Sequence, residues 1–429
     1  MKILVIGNGG REHAIVWKLK QSTKVEKIFC TLANAGIAEI AESVNIKPDD
    51  VLALIDFVRS NHIDLTVVGP EAPLASGIVD EFSKAGIKVF GPSKNAARLE
   101  TSKVFAKEFL KKYHIPTADF ERFNCTEIKK AYSYLGTVNF PIVIKVDGLA
   151  AGKGVLICGD ISEAKTAVSN IFESKIFGTA GDNIVVEEFL TGQEASVFAI
   201  CDGTDYVVLP PAQDHKKILD GEKGKNTGGM GSFAPAYNIV DDSVMLKVRS
   251  RIIKPVLKYM KQEGNEFKGC LYCGLMIDAA KDPYVIEFNV RFGDPETQVV
   301  LPLLRSDFVE LLLASVDGNI KNCKIETQEK YFCCVVLASK GYPDKYETGK
   351  EITGIKPAEE HCLIFHAGTK INEEGKVITS GGRVLNVVGQ SDESLLKAIE
   401  NAYRGVEMVN FENKYFRTDI GRKGLEEGE

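Results

Sequence analysis

The 429-residue chain has no apolar run approaching the roughly 20 residues that a membrane span requires. Its opening MKILVIGNGG runs from a strand straight into a glycine turn, without the cleavage pattern of a secretory leader, so a cytoplasmic protein away from membranes is expected. Basic excess is also missing. The net charge of −6 speaks against nucleic acid as a partner and leaves anionic small molecules to be met by local cations. Six histidines without clustered spacing give no zinc signature. The ten cysteines are scattered, mostly within apolar runs where a thiol packs as a small hydrophobe, and no structural disulfide is expected. Cys270 and Cys273 are spaced as CxxC, but no second CxxC exists, and within the apolar strand CLYCGLMI the two would face opposite ways. No internal repeat is present, and the charged stretch 422–429 reads as a frayed end.

What is present is an ordinary globular balance, 44% apolar and 26% charged, over a length that calls for several cores. From residue 1 to about 92, short strands (ILVIG, KIFCT, LTVVG, IKVFG) alternate with helical patterns, which implies a parallel sheet covered by helices. A helix follows from about Thr101, whose hydroxyl is placed to cap it, to just before Pro116. The next stretch is mixed α+β, with IVIKVDG (142–148) and NIVVEEFL (183–190) as strands. Residues 214–231, rich in glycine and lysine and without periodicity, read as one extended functional loop. After about 317 the pattern turns to antiparallel strands and then a helix from about Ser391.

The sharpest chemistry lies in VIEFNVRFGDPE (285–296). On a strand, Glu287, Asn289 and Arg291 share one face while Ile286, Phe288 and Val290 share the other. A carboxylate beside an amide oxygen is a hard-ligand pair suited to magnesium, which completes its shell with phosphate oxygens. The neighbouring Arg291 then neutralises charge on a transferring phosphoryl group. Phe292-Gly293-Asp294-Pro295-Glu296 adds a turn with two more carboxylates.

In IVIKVDGLAAGKGV, Lys145 sits in an apolar strand feeding a loop with Gly148, Gly152, Lys153 and Gly154, a candidate flap over phosphates. It is not a Walker loop, because only three residues separate the first glycine from Gly-Lys and no Ser or Thr follows. In VVEEFLTGQE (185–194), strand backbone groups are suited to an adenine edge and Glu194 to ribose hydroxyls; a solvated acidic strand end is the competing explanation. Gly7, Gly9, Gly10 and Arg11 at the first strand-to-helix turn can hold a phosphate. The dinucleotide fingerprint fails there, since Glu12 occupies the third glycine position and KIFCT ends without an acid, so an anionic substrate is favoured over a nicotinamide. QDHKK and NTGGMG offer Asp214, Thr227, Gly228 and Gly229 to a small polar substrate; His215, between Asp214 and Lys216, reads as a solvated loop residue rather than a base.

Taken in order, GNGGREHA, VVGPEAPL, KVDGLAAGKGV, QDHKK, NTGGMG, IEFNVRFGDPETQ and FHAGT resemble the ATP-grasp superfamily and, within it, the phosphoribosylamine–glycine ligase family, over essentially the whole chain. The resemblance implies an N-terminal parallel α/β domain for the phosphoribosyl substrate (1–100), a central ATP-grasp core with a mobile lid (101–325, lid about 120–190), and a mostly antiparallel C-terminal β domain with a helix (326–429). It implies ATP as cosubstrate with Mg²⁺ or Mn²⁺, glycine and 5-phosphoribosylamine as substrates, and a glycyl phosphate on the way to glycinamide ribonucleotide. It makes Lys103 and Lys145 phosphate-binding lysines, Glu187, Glu188, Phe189 and Leu190 the adenine hinge, Glu194 the ribose acceptor, and Glu287 and Asn289 the metal ligands. Gly9, Gly10, Arg11, Glu71, Asp214, Thr227, Gly228, Gly229 and Arg291 fall to the substrates, and Arg291, Lys145 and Asp294 to catalysis. Many members of the superfamily carry a further metal carboxylate on the preceding strand. Here that strand, LYCGLMID, is apolar until Asp278, so the metal would lean on phosphate and water. Ligases activating bicarbonate or formate, a regulatory nucleotide-binding protein without turnover and, more distantly, a nicotinamide oxidoreductase stay open as alternatives. The sequence is compatible with a monomer but does not decide the oligomeric state.

Overall fold

The computed structural model describes residues 1–148 and 154–425. Its first 100 residues form a five-stranded parallel sheet in the order Glu42–Val44, Lys27–Thr31, Lys2–Ile6, Leu65–Val68, Val89–Phe90. The strands are apolar on both faces because helices cover both, as parallel sheets require. The short edge strand Glu42–Val44 carries exposed Glu42 and Ser43 and escapes pattern reading for that reason. The helical stretch between Leu65–Val68 and Val89–Phe90 is two pieces, Glu71–Ser76 and Ile78–Lys84, parted at Gly77 with φ +96. The long helix after residue 100 is also cut. Thr101 ends a short helix Arg98–Thr101, and Ser102, not Thr101, caps Lys103–Lys112 by accepting the Phe105 N–H.

Two antiparallel sheets follow. One runs Phe120–Asn124, Asn183–Glu188, Ile142–Val146, Val155–Cys158, with the helices Ile128–Leu135 and Ile161–Phe172 packed on it to give a separate apolar core. The other runs Tyr206–Val208, Gln193–Asp202, Lys268–Ile277, Pro283–Asn289. Cys270 and Cys273 are buried in this second sheet as free thiols, and the other eight cysteines are free too.

The stretch 214–231 is not one structureless loop. Lys217–Leu219 and Lys223–Asn226 form a hairpin, and its flanks Gln213–Asp214 and Gly231–Ala234 enter a third sheet. Glycine at these positions serves backbone geometry and close approach, which hides short strands from a periodicity search. That third sheet continues through Tyr331–Ser339, Arg383–Ser391 and Leu363–His366, all antiparallel, with the helix Leu395–Met408 laid across it and capped by Ser394. The fold is thus α/β and α+β, with a parallel N-terminal layer and antiparallel sheets plus a helix at the C-terminal end. Among the described residues no helix is long and apolar enough to cross a membrane.

Candidate active site

The strand Pro283–Asn289 lies at the edge of its sheet and is irregular at one point. Glu287 pairs with Gly274 and Val285 with Leu275, so Ile286 is an extra residue, a bulge with no cross-strand partner. The simple alternation of faces therefore breaks between Val285 and Glu287. The freed Ile286 carbonyl accepts from Lys145 Nζ at 2.9 Å, reaching across from the other antiparallel sheet. Lys103, from the helix Lys103–Lys112, stands 3.6 Å from Glu287. Burial would raise the Glu287 carboxyl, but Lys103, Lys216, Lys145 and Arg291 together outweigh it and hold the group at about 2. An ionised carboxylate ringed by cations is a fit receptor for a metal–phosphate complex, which brings both signs of charge.

Asn289 and Arg291 are neighbours as the alternation predicts, with Arg291 Nη2 donating to Asn289 Oδ1 at 3.2 Å. Arg291 also bridges two acids from the N-terminal part of the chain, Glu71 Oε2 at 3.3 Å and Glu100 Oε1 at 3.0 Å. Burial works against the Glu71 charge, yet Arg291 and then Arg11 hold its carboxyl down to about 2. Arg11 pairs with Glu12 at 2.6 Å and donates to the Phe292 carbonyl, so the first glycine turn is tied to the segment that follows the strand Pro283–Asn289. Gly9 donates to Glu12 Oε2, and a Cβ on Gly10 would collide with Asn386 and Gln298; the turn must be glycine for the three parts of the chain to meet.

Lys145 Nζ is 3.0 Å from Glu187 Oε2, both buried. Glu188 instead points outward, accepting the Asp119 N–H, and Phe189 is partly exposed. Gly148, at φ +153, and Gly154, whose carbonyl accepts the Val146 N–H, bracket the flap candidate; Gly152 and Lys153 lie outside the described residues. Leu190 lies two residues beyond the end of the strand Asn183–Glu188 that carries Glu187.

A second group of the candidate residues gathers around Asp294. Its Oδ1 accepts from Gln298 and its Oδ2 from Arg383 Nη2 at 3.1 Å, while Arg383 Nη1 donates to the carbonyls of Asp294 and Gly228. A Cβ on Gly228 would stand 3.0 Å from the guanidinium carbon. Thr227 Oγ1 donates to the Lys216 carbonyl and accepts the Gly229 N–H. Lys216 pairs with Glu194 at 3.1 Å and lowers that carboxyl. Burial raises the Asp214 carboxyl against the pull of Lys216, with Glu296 and Glu194 adding to the rise.

His215 is a correction to the sequence reading. It is fully buried beside Phe233, its Nε2 accepts the Gly421 N–H, and burial with Lys423 and Arg417 nearby drives it down to about 3. It is part of the packing, not a solvated loop residue. Asp278 caps a turn by accepting from Ala280 and Asp282. Four residues escaped the sequence reading: Glu100, Lys107, Lys216 and Arg383. Lys107 had a faint signal, lying one turn beyond Lys103 on the same helix face. Arg383 had none, because nothing local marks a residue that acts some 90 positions away, against Asp294.

Among the described residues, no three His, Cys, Asp or Glu side chains converge as a ready-made metal cage. The site offers instead two oxygen ligands on a strand, Glu287 and Asn289, surrounded by Lys103, Lys145 and Arg291, between two antiparallel sheets: an ATP-grasp architecture. The chain is matched by three models of one family, the phosphoribosylglycinamide synthetase N domain over residues 1–100, its ATP-grasp (A) domain over 101–297 and its C domain over 332–423. It is 49% identical over 420 residues, 98% of this chain and 99% of the relative, to a phosphoribosylamine–glycine ligase of Caldanaerobacter subterraneus. A crystal structure of the phosphoribosylamine–glycine ligase of Thermotoga maritima is similar with a TM-score of 0.84 at 36% identity, covering 98% of this chain and 100% of that one. The biotin carboxylase domain of Hydrogenobacter thermophilus 2-oxoglutarate carboxylase shares the fold at a TM-score of 0.73 and 15% identity, over 97% and 91% of the two chains. The chain belongs to the phosphoribosylglycinamide synthetase family.

Proposed function

We propose that this chain ligates glycine to 5-phosphoribosylamine at the expense of ATP, giving glycinamide ribonucleotide, ADP and phosphate for purine biosynthesis in the cytoplasm. The observation that carries the reading is the cationic ring of Lys103, Lys145 and Arg291 around Glu287 and Asn289. A carboxylate becomes an electrophile only when one oxygen is turned into a leaving group. In this site the γ-phosphoryl group passes to the glycine carboxylate, and the amine of phosphoribosylamine then displaces phosphate from the glycyl phosphate. Mg²⁺ or Mn²⁺ on Glu287 and Asn289 would supply charge neutralisation at the β- and γ-phosphate oxygens. Lys103 and Lys145 hold the phosphates, Arg291 stabilises charge on the transferring group, and Asp294 orients the incoming amine.

The adenine is assigned to the strand end at Glu187, Glu188, Phe189 and Leu190, its ribose to Glu194, and its phosphates to the flap containing Gly148, Gly152, Lys153 and Gly154. The phosphoribosyl group is assigned to Gly9, Gly10, Arg11 and Glu71, and glycine to Asp214, Thr227, Gly228, Gly229 and Arg291. Residues 1–100, 101–325 and 326–429 are the corresponding domains, with 120–190 as the lid, whose separate apolar core suits independent motion. ADP release measured with each component omitted in turn tests the assignment. ADP should require glycine and phosphoribosylamine together; ADP driven by bicarbonate or formate instead would overturn it.

A further inference from the structure

Lys107 belongs to the same buried charge system, and it has no part in the proposed reaction. Its Nζ lies 2.8 Å from Glu187 Oε2, the same oxygen that Lys145 approaches at 3.0 Å. All three side chains are nearly inaccessible, with 3% to 4% of their surface exposed. Two lysines thus share one carboxylate oxygen, while Glu187 Oε1 is buried without a hydrogen-bond partner among the described residues. Lys107 also donates to Thr117 Oγ1 at 2.7 Å, and Thr117 in turn donates to the Val285 carbonyl at 2.7 Å. Lys145 ends one residue further on, at the bulged Ile286 carbonyl.

A lysine locked to a buried carboxylate cannot readily serve a phosphate. Moving it away would strand the carboxylate unpaired in a low-dielectric site, which is strongly unfavourable. A second cation that stays on the same oxygen removes that obstacle, and although burial lowers the Lys107 ammonium to about 8, it is still charged at neutral pH. We propose that Lys107 is a positioning residue that stays with Glu187 and so frees Lys145 to turn toward the nucleotide phosphates. The proposal rests on the assignment of ATP to the space beside Lys145. Lys107 is suited to the fixed role: it comes from the helix Lys103–Lys112, and its ammonium is tied through Thr117 to the strand Pro283–Asn289. Lys145 is suited to the mobile one, because its strand Ile142–Val146 leads directly into the flap candidate.

The test is calorimetric titration with the magnesium complex of a non-hydrolysable ATP analogue, together with KM values for ATP and glycine. Lys107→Met should weaken analogue binding and raise KM for ATP about tenfold or more, with the glycine KM little changed. Lys107→Arg should recover most of the loss. The double variant Lys107→Met/Glu187→Gln should bind the analogue better than Lys107→Met alone, since no carboxylate is left to retain Lys145. Should Lys107→Met fail to fold, Lys107→Gln, which keeps a donor without the charge, is expected to show the same ATP-selective loss. Wild-type affinity in Lys107→Met or Lys107→Gln, an equal rise in both KM values, or no gain from Glu187→Gln would each overturn the proposal. Failure of the unaltered protein to bind the analogue would instead sink the ATP assignment beneath it.

Discussion

Arg291 and Glu71 meet at 3.3 Å although 220 residues separate them in the chain. This pair joins the first parallel sheet to the end of the strand that carries Glu287 and Asn289. Glu100 closes the group from the other side, holding Arg291 at 3.0 Å and accepting the Val290 N–H. The arginine is therefore held in place by the protein's own acids, and preorganised charge is what lowers a phosphoryl- or acyl-transfer barrier.

Replacing Arg291 with alanine should leave nucleotide affinity within about twofold while ligation falls about 100-fold or more, because Arg291 is assigned to glycine and the transferring group and not to the nucleotide. Parallel measurements of nucleotide binding and ligation rate check this. Unchanged ligation would remove Arg291 from the chemistry.

Glu287→Gln keeps the shape of the side chain but removes the charge from the metal site proposed at Glu287 and Asn289. The Mg²⁺ concentration for half-maximal activity should rise about tenfold or more. Asp278→Asn, whose parent carboxylate caps a turn, should leave that concentration where it was. A magnesium titration of both variants separates the two carboxylates; equal responses would place Asp278 in the metal shell.

Three buried histidines make stability depend on acid. Burial holds His13 and His215 at about 3 and His366 at about 4, all below the ordinary 6.5. Between those values and 6.5 the unfolded chain binds protons that the folded chain does not, so stability is full above about pH 6.5 and declines as pH falls toward 4. His13 Nδ1 accepts the His366 backbone N–H, a bond that its protonation would destroy. Melting temperature should drop on acidification through this window, and His215→Asn should show a shallower drop. A flat profile in the unaltered protein would contradict the burial of these rings.

Gly229 adopts φ +109, and a Cβ there would collide with the Pro295 ring. Gly229→Ala should cost about 1 kcal/mol or more of stability, from the backbone conformation alone before any displacement of the Asp294–Pro295 turn. Thermal unfolding of the variant measures it; a melting temperature equal to that of the parent would show that the segment relaxes freely.

The parts of the fold legible in the sequence are those with local periodicity. ILVIG, KIFCT and LTVVG alternate with helical stretches and form the parallel sheet, and FCCVVLAS pairs with GRVLNVVG as an antiparallel couple. The strand that carries Glu287 and Asn289 is legible too, read over 285–291 and found over Pro283–Asn289, but its bulge is not, because Ile286 looks like any other apolar strand residue until Gly274 and Leu275 are seen opposite it. The neighbours Lys145 and Ile286 are 141 residues apart, and no local pattern announces their contact. His215 looked exposed between Asp214 and Lys216; its burial is decided by Phe233 and by Gly421, near the other end of the chain. Arg383 reaches Asp294 and Gly228 only because the glycine-rich stretch adds strands to the C-terminal sheet. Thr101 and Ser102 are equivalent caps by composition, and only the extended backbone at Ser102 selects it.

The central claim is that ATP is spent on the glycine carboxylate. Glycine labelled with ¹⁸O in both carboxylate oxygens should yield inorganic phosphate carrying one labelled oxygen per turnover, because the oxygen that attacks the γ-phosphorus leaves with it when the amine displaces phosphate. Glycinamide ribonucleotide should retain the other. Product formed with unlabelled phosphate would contradict the account.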